Sequence, residues 1–300
     1  MTSNATRLAI SSLGAAAIGV LVVWAATPSG LSAASSPLLL GLPLPSLAAI
    51  AVVVLNLVAF VPAAVSQTER YYDLVGAAAT LLSTTILILG AADSTALIFA
   101  VPPLIWACRL GAFLARRAHR EGDGRFDQIK VRPARFLVAW ALQSLWVNLT
   151  NLAVTVALAH PSPPPPGLFE VLGVLIWVFG FTVEVVADRQ KSAFRALAQN
   201  RGRFIDVGLW SVVRHPNYAG EITAWSGLFV AAIPRLEGWG WLAVLSPVFV
   251  FVLLRFGSGI PLLEARGRAR WGDDPAYQRY LAHVPRLVPR APSRRHRAAS

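Results

Sequence analysis

The stretch SLAAIAVVVLNLVAFVPAAV, residues 46–65, runs for 20 residues without a charge. About 20 apolar residues in an α-helix cross the hydrocarbon layer of a bilayer. In lipid each backbone N–H and C=O must find a partner within the protein, so a continuous apolar run of this length reads as a helix. Further apolar segments lie at 8–26, 74–92, 95–115, 134–158, 168–187, 218–233 and 239–256. The 218–233 segment is short and begins with polar residues, so it either tilts or crosses only in part. The fold expected is all-α, a polytopic transmembrane helical bundle of seven or eight spans. Eight follow if every segment crosses. Seven follow if 218–233 is re-entrant or if the first segment is a cleaved signal peptide. A retained first helix is preferred, because Arg7 is the one cation ahead of a long run. The organisation is then a helix and loop over 1–45, a transmembrane domain over 46–290 and a basic tail over 291–300.

Composition agrees. The chain is 55% hydrophobic and 14% charged, against about a quarter charged in soluble domains. The net charge of +12 does not imply nucleic acid, because the basic residues lie between apolar segments and in the tail. There they orient helices by the positive-inside rule. Arg116, Arg117, Arg120, Arg125, Lys130, Arg132 and Arg135 fill one loop; Arg189, Lys191, Arg195, Arg201, Arg203 and Arg214 fill another. Both loops, the tail and both termini are expected in the cytoplasm. The opposite loops fit, since Ala91–Ser94 and the Pro-rich HPSPPPPG at 160–167 hold no Lys or Arg. Residues 265–300 carry nine Arg against two Asp, which suits anionic headgroups.

Cys108 is the sole cysteine, so no intrachain disulfide forms. His119, His160, His215, His283 and His296 lie apart, in different loops or the tail, and no metal site is expected. No dinucleotide fingerprint, P-loop or nucleophile elbow is present.

Ionisable residues at membrane depth are costly and point to function. Glu184, Asp188 and Arg195 share one helical face. In RHPNYAGE, residues 214–221, Pro216 suits the first turn of a helix, and Asn217 and Glu221 share a face. A helix N-terminus with Arg214 beside it, and Arg255 at the end of the next span, suits a phosphorylated ligand. QTERYYD, residues 67–73, sets Glu69, Tyr72 and Asp73 between two spans. It reads either as a solvated connection or as the mouth of a lipid-facing pocket. Gln143, Trp146 and Asn151 read as helix–helix contacts.

GLWSVVRHPNYAGE, the apolar hairpin after it and WGDDPAYQRYLAHVPRLVP resemble the C-terminal domain of steroid 5α-reductase-like membrane proteins. The branch long catalogued as a domain of unknown function is the most similar. The TERYYDLVG and LLRFGSGIPLLE stretches extend the resemblance over residues 66–290. It implies a membrane oxidoreductase that reduces the C=C bond of an enone, on a sterol or other lipid, with NADPH entering from the cytoplasm. By residue it implies cofactor contacts at Asp188, Arg195, Arg214, His215, Asn217, Tyr218, Glu221 and Arg255. It also implies a carbonyl-binding acid at Glu69, assisted by Tyr72. Trp106 falls where the reductases carry a catalytic tyrosine. Isoprenylcysteine carboxyl methyltransferases have a similar lip and tail, so an S-adenosylmethionine-dependent lipid methyltransferase is the first alternative. A non-enzymatic lipid-binding or scaffold protein is the second. The membrane is a bacterial inner membrane or the endoplasmic reticulum.

Overall fold

A computed structural model describes residues 2–27, 38–39, 42–91, 95–120 and 126–289. Arg125, residues 92–94 and the basic tail over 291–300 lie outside the described residues, as do the side chains of Arg116, Arg117 and Arg120. The structure is α-helical, apart from a two-residue antiparallel pair, Leu38–Leu39 with Leu42–Pro43. The chain divides into two compact units, residues 1–174 with 228–247, and residues 175–227 with 248–300.

The first unit is built on α1 (Thr2–Ala26), α2 (Leu44–Val65), α3 (Tyr72–Gly90), α4 (Ala96–Arg120), α5 (Pro133–Thr150) and α6 (Leu152–Leu158). Helix α1 packs on α5, α3 on α4, and α2 on both α3 and α5. Small residues let the helices approach: a Cβ on Gly111 would sit 2.9 Å from that of Ala77. Polar side chains join the helices, as expected in lipid. The amide of Gln143 donates to the Tyr72 carbonyl at 2.9 Å, and that of Asn151 to the Ser83 hydroxyl at 3.0 Å. Helices α5 and α6 meet at Asn151 with a bend of 50°. There the Ser246 hydroxyl donates to the Thr150 carbonyl at 2.5 Å. A side chain inserted at the helix ladder is a recognised cause of such a kink.

The second unit holds α7 (Leu168–Ala196) from residue 175, the turn α8 (Leu209–Val212), α9 (Pro216–Ala232) to residue 227 and α10 (Leu245–Phe256) from residue 248. It also holds α11 (Ile260–Trp271) and α12 (Pro275–His283). Helices α7 and α9 cross backbone to backbone. A Cβ on Gly180 would lie 2.5 Å from the Ala224 nitrogen, and one on Gly220 would lie 2.6 Å from the Glu184 nitrogen. Gly220→Val therefore forces the helices apart. Overpacking costs about 1–3 kcal/mol, so the variant melts below wild type in a thermal scan, whereas Gly14→Ala, on an exposed face of α1 with nothing within 4 Å, melts no lower than wild type, because alanine favours a helix over glycine.

Five helices are long and apolar enough to cross a membrane, or six if the bent pair α5–α6 is one span. The protein is thus an integral membrane protein by helix length and composition. The expected seven or eight spans are more than these lengths supply. The apolar part of α1, Ile10–Ala26, is a shorter helix. Helix α9 has 17 residues and passes into a 3-10 turn, Ile233–Arg235. The expected span at 239–256 lies within Gly238–Trp271, one of the five, whose first seven residues, Gly238–Val244, form a 3-10 helix ahead of α10.

Candidate functional site

In the second unit the lip between α8 and α9 is fixed first by backbone. Gly208 adopts φ 61°, a left-handed conformation suited to glycine. A Cβ there would meet the Gln190 amide at 2.7 Å. That amide instead accepts the Leu209 N–H at 2.9 Å, and the Trp210 indole donates to the Ala187 carbonyl on α7 at 3.1 Å. Beyond α8 the lip pairs with the segment after α12. Arg214 N–H donates to the Pro285 carbonyl at 2.7 Å and His215 N–H to the Arg286 carbonyl at 3.1 Å. The Tyr280 hydroxyl closes the frame on the Trp210 carbonyl at 2.8 Å.

Glu264 on α11 sits at the centre of this frame and is 8% exposed. Arg286 reaches it with two hydrogen bonds of 3.0 Å, and Arg214 lies 3.0 Å from Oε1. Two nearby guanidinium groups and one carboxylate leave a net positive charge. Hydrogen bonding to Glu264 raises the pKa of Arg286, while burial lowers that of Arg214 against the pull of Glu264. Nε2 of His215 is 3.6 Å from the same carboxylate, too long for a strong hydrogen bond. Burial pushes the His215 imidazole down to about 4 despite Glu264. Burial also raises Tyr277 and Tyr280, so both remain neutral phenols.

This frame forms one wall of a cavity of about 290 Å³. Six cations line it, namely Lys191, Arg195, Arg203, Arg214, Arg266 and Arg270, and the one lining carboxylate is Glu264. Aromatic faces supply the rest. Phe204 packs on Trp271, Tyr277 and Tyr280, with ring centroids 6.1, 5.0 and 5.4 Å away. Lys191 stands 4.7 Å over the Trp210 ring. Both ring nitrogens of His215, which lines the cavity, are buried without a hydrogen-bond partner among the described residues; so is Oδ1 of Asn217 on α9, which is not among the lining residues. Such atoms are costly unless a ligand or water satisfies them. The arrangement can hold a polyanionic ligand that carries a flat ring.

Folding with His215 neutral makes stability depend on pH. Between its folded value near 4 and the ordinary value of 6.5, the unfolded chain binds the proton and the folded one does not. Stability is therefore full above about pH 6.5 and falls as pH drops toward 4. In His215→Asn this part of the fall is absent. The check is a pair of melting curves taken against pH.

The expected site residues divide between the units. Arg195, Arg214 and His215 line the cavity. Tyr218 stacks behind His215, with ring centroids 5.9 Å apart. Glu184 lies at the Gly220 crossing, where α7 meets α9, one residue before Glu221. Asp188 lies one turn beyond Glu184 on α7. Arg255 stands 4.8 Å over the Phe256 ring. Glu69 and Tyr72 belong to the first unit. There Lys130 Nζ is 2.9 Å from the Glu69 carboxylate, and the Tyr72 hydroxyl donates to the Ala139 carbonyl at 2.9 Å. Tyr72 packs against Phe126 and Trp140. The hydrogen bond that Lys130 donates to Glu69 raises the pKa of Lys130. Trp106 is buried, 6.0 Å from the Trp146 ring.

A family model described as a protein of unknown function, DUF1295, matches residues 59–284. The chain belongs to this family. The comparison with curated proteins found no match, and neither did that with solved structures. Every residue lining the cavity falls inside the DUF1295 match, and Arg286 lies two positions past it. Of the DUF1295 residues that build the cavity, Glu264, Arg203, Arg266 and Arg270 were not among the sequence candidates. Arg266 and Arg270 carried a signal, the i, i+4 spacing that puts both on one face of α11. Glu264 carried a fainter one, as the acidic residue ahead of a run of three arginines, Arg266, Arg268 and Arg270.

Proposed function

We propose that the protein is a membrane oxidoreductase that reduces the conjugated C=C bond of an enone, on a sterol or other lipid, with NADPH. The observation that carries this reading is the cavity with six lining cations and aromatic walls. NADPH bears several phosphate charges and two ring systems, and these residues match both features. Lys191, Arg195, Arg203, Arg214, Arg266 and Arg270 would hold the phosphates; Phe204 and Trp271 offer stacking faces. The buried, unpartnered nitrogens of His215 suit polar groups of the ligand, and Asn217 is a contact that the resemblance implies. Asp188, Tyr218, Glu221 and Arg255 are the further cofactor contacts that the resemblance to the steroid reductases implies. When bound, the cofactor supplies a hydride.

S-adenosylmethionine fits this cavity less well. Its sulfonium and ammonium outweigh its one carboxylate, so six lining cations repel it. For the carbonyl of the substrate the reading keeps Glu69 and Tyr72, with one change. Within the Glu69–Lys130 pair the transferable proton resides on Lys130. Hydrogen bonding to an enolate oxygen lowers the barrier to hydride addition. Under the positive-inside rule the cavity opens toward the cytoplasm.

The test is ligand binding by the full chain in nanodiscs, read as thermal shift with NADPH, NADH and S-adenosylmethionine. A ligand at 100 times its Kd stabilises by about 2.7 kcal/mol. Stabilisation by NADPH is expected. Stabilisation by S-adenosylmethionine alone would overturn the reductase reading, and so would no response to NADPH.

A further inference from the structure

The first unit holds a second cavity, of about 330 Å³, at the opposite helix ends from the 66–71 loop. It is bounded by Ala25, Ala26 and Thr27 at the C-terminal end of α1, by Val156 and His160 after the α5–α6 bend, and by Arg235 with residues 237–240. Its chemistry differs from that of the basic cavity, and the two share no residue.

Arg235 is 2% exposed. One nitrogen of its guanidinium donates to the Ala157 carbonyl at 3.0 Å, another to the Thr95 hydroxyl, and the group stands 4.5 Å over the Phe99 ring. These contacts fix a positive charge in the wall. Two residues on, Glu237 is exposed and also lines the cavity. Next to it Trp239 is 62% exposed, and Trp241 is 51% exposed. Tryptophans favour the headgroup level of a bilayer, one face apolar and the N–H wet. A fixed cation, a carboxylate at the rim and an aromatic face beside it form a complement to a zwitterion.

We infer that this cavity binds the headgroup of a zwitterionic phospholipid with a primary ammonium, the phosphate facing Arg235 and the ammonium facing Glu237 and Trp239. The phosphate makes charge-assisted hydrogen bonds to the guanidinium. The ammonium donates to the Glu237 carboxylate and meets the Trp239 ring by cation–π attraction. A trimethylammonium headgroup matches the aromatic face but has no N–H to donate to Glu237. A glycerol headgroup is anionic overall and meets the carboxylate unfavourably. The cavity volume lies at the low end of the range of about 300–1,000 Å³ for small-molecule sites, consistent with a headgroup rather than a whole sterol.

The experiment is native mass spectrometry of the full chain, released from vesicles of equal parts phosphatidylethanolamine, phosphatidylcholine and phosphatidylglycerol. Wild type is expected to retain phosphatidylethanolamine about tenfold over phosphatidylcholine, as one charged hydrogen bond provides. Glu237→Gln and Trp239→Ala change exposed side chains, so the fold persists, and Glu237→Gln is expected to abolish the preference. Equal retention of the three lipids, a preference for phosphatidylglycerol, no retained lipid, or an unchanged preference in Glu237→Gln would each overturn the inference.

Discussion

Glu264→Gln is expected to destabilise the second unit by about 3–5 kcal/mol, the range for removing one partner of a buried ion pair. The side chain keeps its size, so packing is preserved and the loss is electrostatic. Arg286 loses two charged hydrogen bonds and Arg214 a third contact, all of 3.0 Å. Two guanidinium groups then face each other, with the Arg214 side chain only 11% exposed. The cost spreads along the chain, because Arg214 and Arg286 sit where the lip pairs with the segment after α12. A thermal melt measures the first effect. A double-mutant cycle measures the second: Glu264→Gln with Arg286→Gln should cost less than the two single changes summed, since removing Arg286 relieves the repulsion. Added phosphate, which can occupy the vacated charge position, should restore part of the lost stability in Glu264→Gln and less in wild type. A single variant that melts with wild type would mean that the lip is held by its backbone pairs alone.

How far such features were legible depended on whether their cause is local. The charge-free run of α2 satisfies its own backbone in lipid, and the structure gives a helix over Leu44–Val65. Pro216 reads as the start of α9 from one residue, and α9 begins there. Arg195, Arg214 and His215 stood out because ionisable groups beside apolar runs need a reason, and all three line the cavity. Bends and breaks in the helices did not show where their cause is remote. The α5–α6 bend coincides with a hydrogen bond from Ser246, which is 96 residues away in the chain from Thr150. The 3-10 opening of the Gly238–Trp271 stretch is as apolar as the α-helix after it, and hydropathy does not separate the two. Glu264 and Arg286 are 22 residues apart, and no spacing rule joins them. The Glu69–Lys130 ion pair was hidden in the same way, its partners 61 residues apart. The glycine crossing of α7 and α9 was invisible for a related reason: Gly180 and Gly220 are ordinary glycines until the helices are placed side by side.

Reversing two charges on α11, Arg266→Glu with Arg270→Glu, should weaken binding of a nucleotide phosphate by roughly a hundredfold or more. Each charged hydrogen bond to phosphate is worth about 1.5–3 kcal/mol, and each 1.4 kcal/mol is tenfold in Kd. Both residues are exposed and line the cavity, so the fold has little stake in them. Reversal also takes the lining from six cations and one carboxylate to four and three, which removes most of the attraction for any polyanion. The size of the loss should depend on the ligand's phosphates. If these two arginines hold the 2′-phosphate, NADPH loses affinity and NADH hardly changes. If they hold the pyrophosphate, both lose alike. Raising salt should shrink the difference between wild type and variant, because surface charges are screened. Isothermal titration with the two cofactors at two salt concentrations separates these cases. Unchanged affinity for both would place the ligand elsewhere, away from the α11 face and from the Glu264 frame behind it.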